Sequence, residues 1–191
     1  FGNRSAFAIG DKGYYVSGSD VYEFDSVSEA WSTKNPAPFS TWSWNSAFVL
    51  NGKGYMKNGT SLYEYKASID SWTPRAAFPG LARSASVALT HDGKGYIVTG
   101  YGAFGLSDVT REVWEYDPIL NIWNFAGDFP GPSRRFACGF NIGSRAFIGI
   151  GTNGTNFTAF HEFNSYASLD ENFDITEFTT CLLSTSDADD E

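Results

Sequence analysis

Acid–base or metal chemistry in this chain would have to come from few residues. Its only histidines are His91 and His161, and one glutamate recurs at an equivalent place four times, as Glu23, Glu64, Glu115 and Glu162. Paired carboxylates work in catalysis when two of them lie close together in environments that push their pKa values apart. A residue repeated once per structural unit is instead held far from its copies, so these glutamates read as strand residues that hydrogen-bond a neighbouring turn or face solvent. His161 stands where the other units have Tyr22, Tyr63 and Trp114, and it reads as a packing residue. Gly52-Lys53-Gly54 has the look of a phosphate loop, but such a loop must open a helix whose N-terminus supports the anion. Here the glycines open a strand, which makes them a hairpin with a solvated lysine.

The elements that would position these groups are written four times. Gly-Asp-Lys-Gly-Tyr at 10–14, Asn-Gly-Lys-Gly-Tyr at 51–55, Asp-Gly-Lys-Gly-Tyr at 92–96 and Gly-Ser-Arg-Ala-Phe at 143–147 mark the units. From Gly13 to Gly54 is 41 residues, from Gly54 to Gly95 another 41, and from Gly95 to Ala146 51. The surplus in the third unit falls at 101–111 and reads as a longer loop. A period of this size means one supersecondary unit stacked on copies of itself. Within the second unit, two-residue alternation broken by Gly, Asn and Asp predicts strands over 46–50, 54–58, 61–66 and 71–74. No segment carries a helical stripe capped at both ends, so the chain is predicted to be all-β. The third strand recurs as Val21-Tyr-Glu-Phe24, Leu62-Tyr-Glu-Tyr65, Val113-Trp-Glu-Tyr116 and Phe160-His-Glu-Phe163, and in three units a Trp follows seven residues after the last aromatic, at Trp31, Trp72 and Trp123.

The Gly-Lys-Gly-Tyr turn, the Tyr-x6-Trp spacing and Arg83-Ser84 at the opening of a unit resemble the kelch repeat, the four-stranded blade of a β-propeller. The likeness runs to about Phe163 and is nearest to the variety found in secreted bacterial proteins, with Glu-Tyr-Asp-Pro at 115–118 and Phe-Pro-Gly at 78–80 and 129–131. The chain departs from the pattern in two places. The glycine doublet after the second strand is a single glycine (Gly18, Gly59, Gly100, Gly151), and Asp170 stands where the fourth Trp is expected. The resemblance implies a kelch-type propeller over 1–178, with four-stranded antiparallel blades at about 1–41, 42–82, 83–133 and 134–178 and an acidic tail at 179–191. Such propellers usually close with six or seven blades. The expectation is therefore part of a larger ring, with further blades or a second copy needed for closure, and the chain opens at Phe1 rather than Met.

In the kelch family the crossover between blades and the loop between the second and third strands lie at the channel mouth and commonly bind the ligand. The matching residues are Trp42, Trp44, Arg83, Ser84, Arg134 and Arg135 in the crossovers, with Tyr101, Phe104 and Asp108 in the long third-unit loop. Arginine offers a planar fork of donors for carboxylates, and exposed rings offer flat area to a sugar or a side chain. Blade packing also uses such residues, and the Trp pair leans that way. The resemblance thus implies a noncatalytic module that presents these loops to a protein or glycan partner, in an extracellular or cell-envelope setting. A propeller enzyme acting on a sugar, of the galactose oxidase or sialic acid mutarotase kind, and a structural spacer are the alternatives. A copper oxidase would need histidine and tyrosine ligands converging on one site, and two separated histidines do not supply them; no cofactor is implied.

The net charge is −9, and four of the acids crowd the last five residues, in a tail expected to be disordered. With no basic stripe, nucleic acid is excluded as the expected partner, and no transmembrane run is present. Cys138, in an alternating strand, is expected to be a small buried hydrophobe, and its pairing with Cys181 is left open. Two substitutions express the reading. Trp72→Ala is expected to cost roughly 3–5 kcal/mol, and Arg83→Ala to leave stability nearly unchanged while weakening a ligand.

Overall fold

The computed structural model describes residues 4–41, 44–103 and 105–163. Four antiparallel meanders follow one another along the chain. The first contains β1 (Arg4–Ile9), β2 (Lys12–Ser17), β3 (Asp20–Asp25) and β4 (Ala30–Lys34); the second β5 (Ser46–Leu50), β6 (Lys53–Asn58), β7 (Ser61–Lys66) and β8 (Ser71–Arg75). The third contains β9 (Val87–His91), β10 (Lys94–Val98), β11 (Glu112–Asp117) and β12 (Ile122–Asp128), and the fourth β13 (Cys138–Ile142), β14 (Arg145–Gly149) and β15 (Phe160–Phe163). The expected fourth strand of the fourth sheet, Asp170, the tail and Cys181 all lie outside the described residues. The 101–111 loop is not wholly irregular: a short 3-10 turn, Gly105–Asp108, sits inside it.

Strand register explains the repeated motif. The turn tyrosine is paired directly with the recurrent glutamate: Tyr14 with Glu23, Tyr55 with Glu64 and Tyr96 with Glu115. Each tyrosine hydroxyl donates to that carboxylate, at 2.7, 2.8 and 2.8 Å. The turn lysine adds an ion pair in the first two sheets, Lys12 to Glu23 at 2.8 Å and Lys53 to Glu64 at 2.9 Å, whereas Lys94 goes to Asp117. In the fourth sheet Phe147 has no hydroxyl, and Arg145 takes both oxygens of Glu162 at 2.6 Å instead. Glu23 and Glu64 are buried rather than solvent-facing. The Lys12 bond holds Glu23 below the usual carboxylate range; for Glu64 burial pushes upward but Lys53, Tyr55 and Arg75 outweigh it. Burial, and then the glutamate beside each ring, push the Tyr14 and Tyr55 hydroxyls well above their usual pKa.

The sheets pack face to face through aromatic rings. Phe7 stacks on Tyr14 at 5.3 Å, and both meet Tyr65 of the second sheet; Phe48 stacks on Tyr55 at 5.2 Å, and both meet Tyr116 of the third. Tyr96 meets Phe163 of the fourth at 4.9 Å. Glycine is required at these joints. A Cβ on Gly54 would lie 2.3 Å from the Phe7 ring, and one on Gly95 2.3 Å from the Phe48 ring. The innermost strands touch in series, β1 to β5 to β9 to β13, with no comparable contact from β13 back to β1 among the described residues. Among the described residues the four sheets therefore form an arc with two outward faces.

Cys138 corrects the sequence reading. It is exposed, because β13 turns it toward the outward face of the fourth sheet, where its counterparts Ser46 and Val87 are covered by the next sheet.

Candidate functional site

Two arginines expected at the channel mouth are committed to the fold. Arg83 is buried: its Nε donates to the Leu81 carbonyl at 3.2 Å, its Nη1 to the Thr99 carbonyl at 3.4 Å, its Nη2 to Glu112, and the Phe78 ring lies beneath it at 5.2 Å. Arg134 repeats the arrangement one sheet later, donating to Pro132 and Ile150 carbonyls at 3.0 Å each and lying between Phe129 and Phe157 at 4.7 and 4.5 Å. The Phe of each Phe-Pro-Gly is thus an arginine platform. Its glycine is bare because a Cβ on Gly131 would stand 2.4 Å from Arg134. The two carbonyls that the arginines share belong to Thr99 and Ile150, both at positive φ, 61° and 51°. This is the place of the absent first glycine of the doublet, and a β-branched residue there is a true outlier that only surrounding contacts can hold. Burial lowers the pKa of both arginines.

Beside Arg83 lies Lys57, on β6 at a position held by Val16 and Val98 in neighbouring sheets. It is buried, donates one hydrogen bond to the Arg83 carbonyl at 2.9 Å and sits 4.7 Å over the Phe78 ring. Burial, aided by the Arg83 charge, brings its pKa down from 10.5 to about 7. The unfolded chain keeps that proton up to the usual value, so unfolding takes up a proton between about pH 7 and 10.5, and stability rises with pH through that window. Between about pH 7 and 9.5 the unfolding free energy is expected to climb by about 2–3 kcal/mol. Urea titrations across that range should show the climb in the parent protein and none in Lys57→Met; a flat parent curve would mean that the ammonium is solvated.

The crossovers converge on a different group. Trp44, Ala85 and Phe136 hold equivalent positions in three successive crossovers, and all have positive φ, 58°, 52° and 56°. The Ala85 amide donates to the Trp44 carbonyl at 3.0 Å and the Phe136 amide to the Ala85 carbonyl at 3.1 Å, so the three crossovers are joined in series. Ala85 is small, and across it the Trp44 and Phe136 rings meet edge-on at 5.1 Å. Tyr101 completes a triangle, 6.3 Å from Trp44 and 6.0 Å from Phe136. It is fixed by a two-way backbone pairing with Ser84, at 2.9 and 3.0 Å. The Arg135 guanidinium lies 4.9 Å over Tyr101 and 5.2 Å over Phe136. Its Nε is buried without a hydrogen-bond partner, and no carboxylate among the described residues forms an ion pair with it. Trp44 and Phe136 are 47% and 39% exposed, so the cluster is a surface and not a core.

Of the residues expected from the sequence, Trp44, Tyr101, Ser84 and Arg135 come together, Arg83 and Arg134 do not reach the surface, and Trp42 and Phe104 lie outside the described residues. Phe136 was not expected; its signal would have been its alignment with Trp44 two units earlier. Asp108 folds back within its own loop, its carbonyl accepting from the Gly102 amide at 3.3 Å. His161 packs edge-on against Phe129 at 5.2 Å, and His91 against Phe163 at 6.1 Å. On the side away from the crossovers, the hairpin turns of the second, third and fourth sheets line a shallow hollow of about 310 Å³, with His91 and Asn141 on its wall.

No protein-family model matches the chain, and no curated protein matches it. Among solved structures, the one described as "Structure of YjhT" superposes with a TM-score of 0.72 at 16% identity, over 89% of this chain and 67% of that one. The chain is a β-propeller. At that identity the likeness speaks for the blades and their order, while the side chains of the mouth are this chain's own. No helix among the described residues is long and apolar enough to cross a membrane.

Proposed function

We propose that this chain is a noncatalytic kelch-type propeller segment that binds a carboxylate-bearing protein or glycan partner at the crossover end. The observation that carries the reading is the exposed Trp44–Tyr101–Phe136 triangle topped by Arg135, whose Nε has no hydrogen-bond partner and which forms no ion pair among the described residues. Large side chains at positive φ cost conformational energy, and such strain collects at ligand-contacting surfaces. Flat rings supply area at low entropic cost, and the planar guanidinium fork matches a carboxylate. The kelch-like turns and Tyr-x6-Trp spacing support the family, and through it an extracellular or envelope setting.

An array of neutral and carboxylated glycans, with a matching acidic-peptide array, tests this. Binding should favour carboxylated probes, fall by at least roughly tenfold in Trp44→Ala and in Arg135→Gln, and leave the melting temperature of Trp44→Ala nearly in place. Retention by both variants of the parent's binding, or turnover of a sugar without these residues, would overturn the reading.

A further inference from the structure

Each joint between neighbouring blades pairs a protruding residue on the first strand of one sheet with a hollow on the second strand of the next. Phe7 fills the hollow over Gly54, and Phe48 the one over Gly95. At the third joint both halves change together: Leu89 is the protrusion and Ala146 stands in the hollow, within one buried cluster. Size is matched at every joint, Phe with Gly and Leu with Ala.

The two outward faces carry the unmatched halves. At one end is Gly13, where among the described residues a Cβ would meet nothing nearer than the Phe24 Cβ at 3.9 Å. Phe24 and Trp31 flank it at the places that Tyr65 and Trp72 hold around Gly54, and Trp31 is 62% exposed. At the other end is Phe140, 40% exposed and stacked on Phe147 at 5.7 Å and 28°, the pose of Phe7 on Tyr14. A Phe protrusion calls for a Gly hollow, and the free hollow is a Gly.

We propose that a second copy of this chain docks head to tail, with Phe140 of one copy seated over Gly13 of the other and its Phe140–Phe147 pair against Phe24. The contact continues the geometry of the two Phe–Gly joints already present within the chain. Being heterologous, it leaves one free half on each copy, which a two-copy ring satisfies if the rotation closes and a string satisfies if it does not.

Sedimentation of the 191-residue chain over a concentration series, in enough salt to screen a charge of −9, tests the contact. The parent chain is expected to associate. Gly13→Leu, at a strand position outside the left-handed region where a Cβ meets only Phe24 among the described residues, and Phe140→Ser should each weaken association at least roughly tenfold while retaining a cooperative melting transition at dilutions where the chain is a single copy. An equimolar mixture of the two variants should form heterodimers and nothing larger, because one good protrusion and one good hollow survive between them. A parent chain that stays monomeric throughout, association that both variants leave intact, or a mixture that fails to pair would each overturn the proposal; the first would assign the faces to other blades. A null result on the glycan and peptide arrays leaves this contact standing, since the two surfaces share no residue.

Discussion

Arg83→Ala is expected to lower the unfolding free energy by about 3 kcal/mol, measured by urea denaturation with tryptophan fluorescence as the signal. The sequence pointed the other way, to a surface arginine whose loss would spare the fold. The side chain is instead fully enclosed and serves two carbonyls, Glu112 and the face of Phe78. Removing it leaves the Thr99 carbonyl, in a left-handed backbone, with the Ser86 hydroxyl at 3.0 Å as its side-chain donor and leaves the Leu81 carbonyl and Glu112 without the guanidinium. Breaking a buried ion pair costs about 3–5 kcal/mol. The lower end applies because Glu112 is 38% exposed and keeps the Trp114 indole N–H at 3.0 Å. A shift of the urea midpoint near zero would return Arg83 to the list of ligand-facing residues.

Trp72→Ala should cost about 3 kcal/mol or somewhat more, and Trp31→Ala, the same repeat position one blade earlier, less than about 1 kcal/mol, with both measured at dilutions where the chain is a single copy. Trp72 lies 4.8 Å from Tyr65, 5.3 Å from Phe39 and 6.4 Å from Phe7, at the joint of the first and second blades. Trp31 touches only Phe24 among these rings, at 5.1 Å, on the outward face. Identical residues at identical offsets thus differ in energy because one has a neighbouring sheet. Equal losses for the two would mean that the indole stabilises its own sheet and that the blade joint contributes little.

The repeat made the architecture legible, because a turn written four times with strand alternation between its copies leaves few ways to fold. It left open whether the recurrent glutamates bond the neighbouring turn or face solvent, and it did not show that the turn tyrosine is the partner or that two of the carboxylates are buried. The mouth was only half legible. Trp44, Tyr101 and Arg135 stood out by residue type, but nothing in the letters distinguishes an arginine with internal carbonyl partners from one without, so Arg83 and Arg135 looked alike. Phe136 escaped because its alignment with Trp44 shows only position, while the positive φ that the two share is invisible in a sequence when the residue is not glycine or asparagine. Cys138 was misjudged for a simpler reason: alternation tells which residues share a face, not whether a neighbour covers it.

The amide-to-carbonyl chain from Trp44 through Ala85 to Phe136 bears on how recognition would proceed. Loops tethered one to the next forfeit little freedom when something settles on them, so affinity at this rim would be spared the ordering cost that mobile loops incur. The rim presents a fixed template, and any adaptation in the encounter has to come from the visitor.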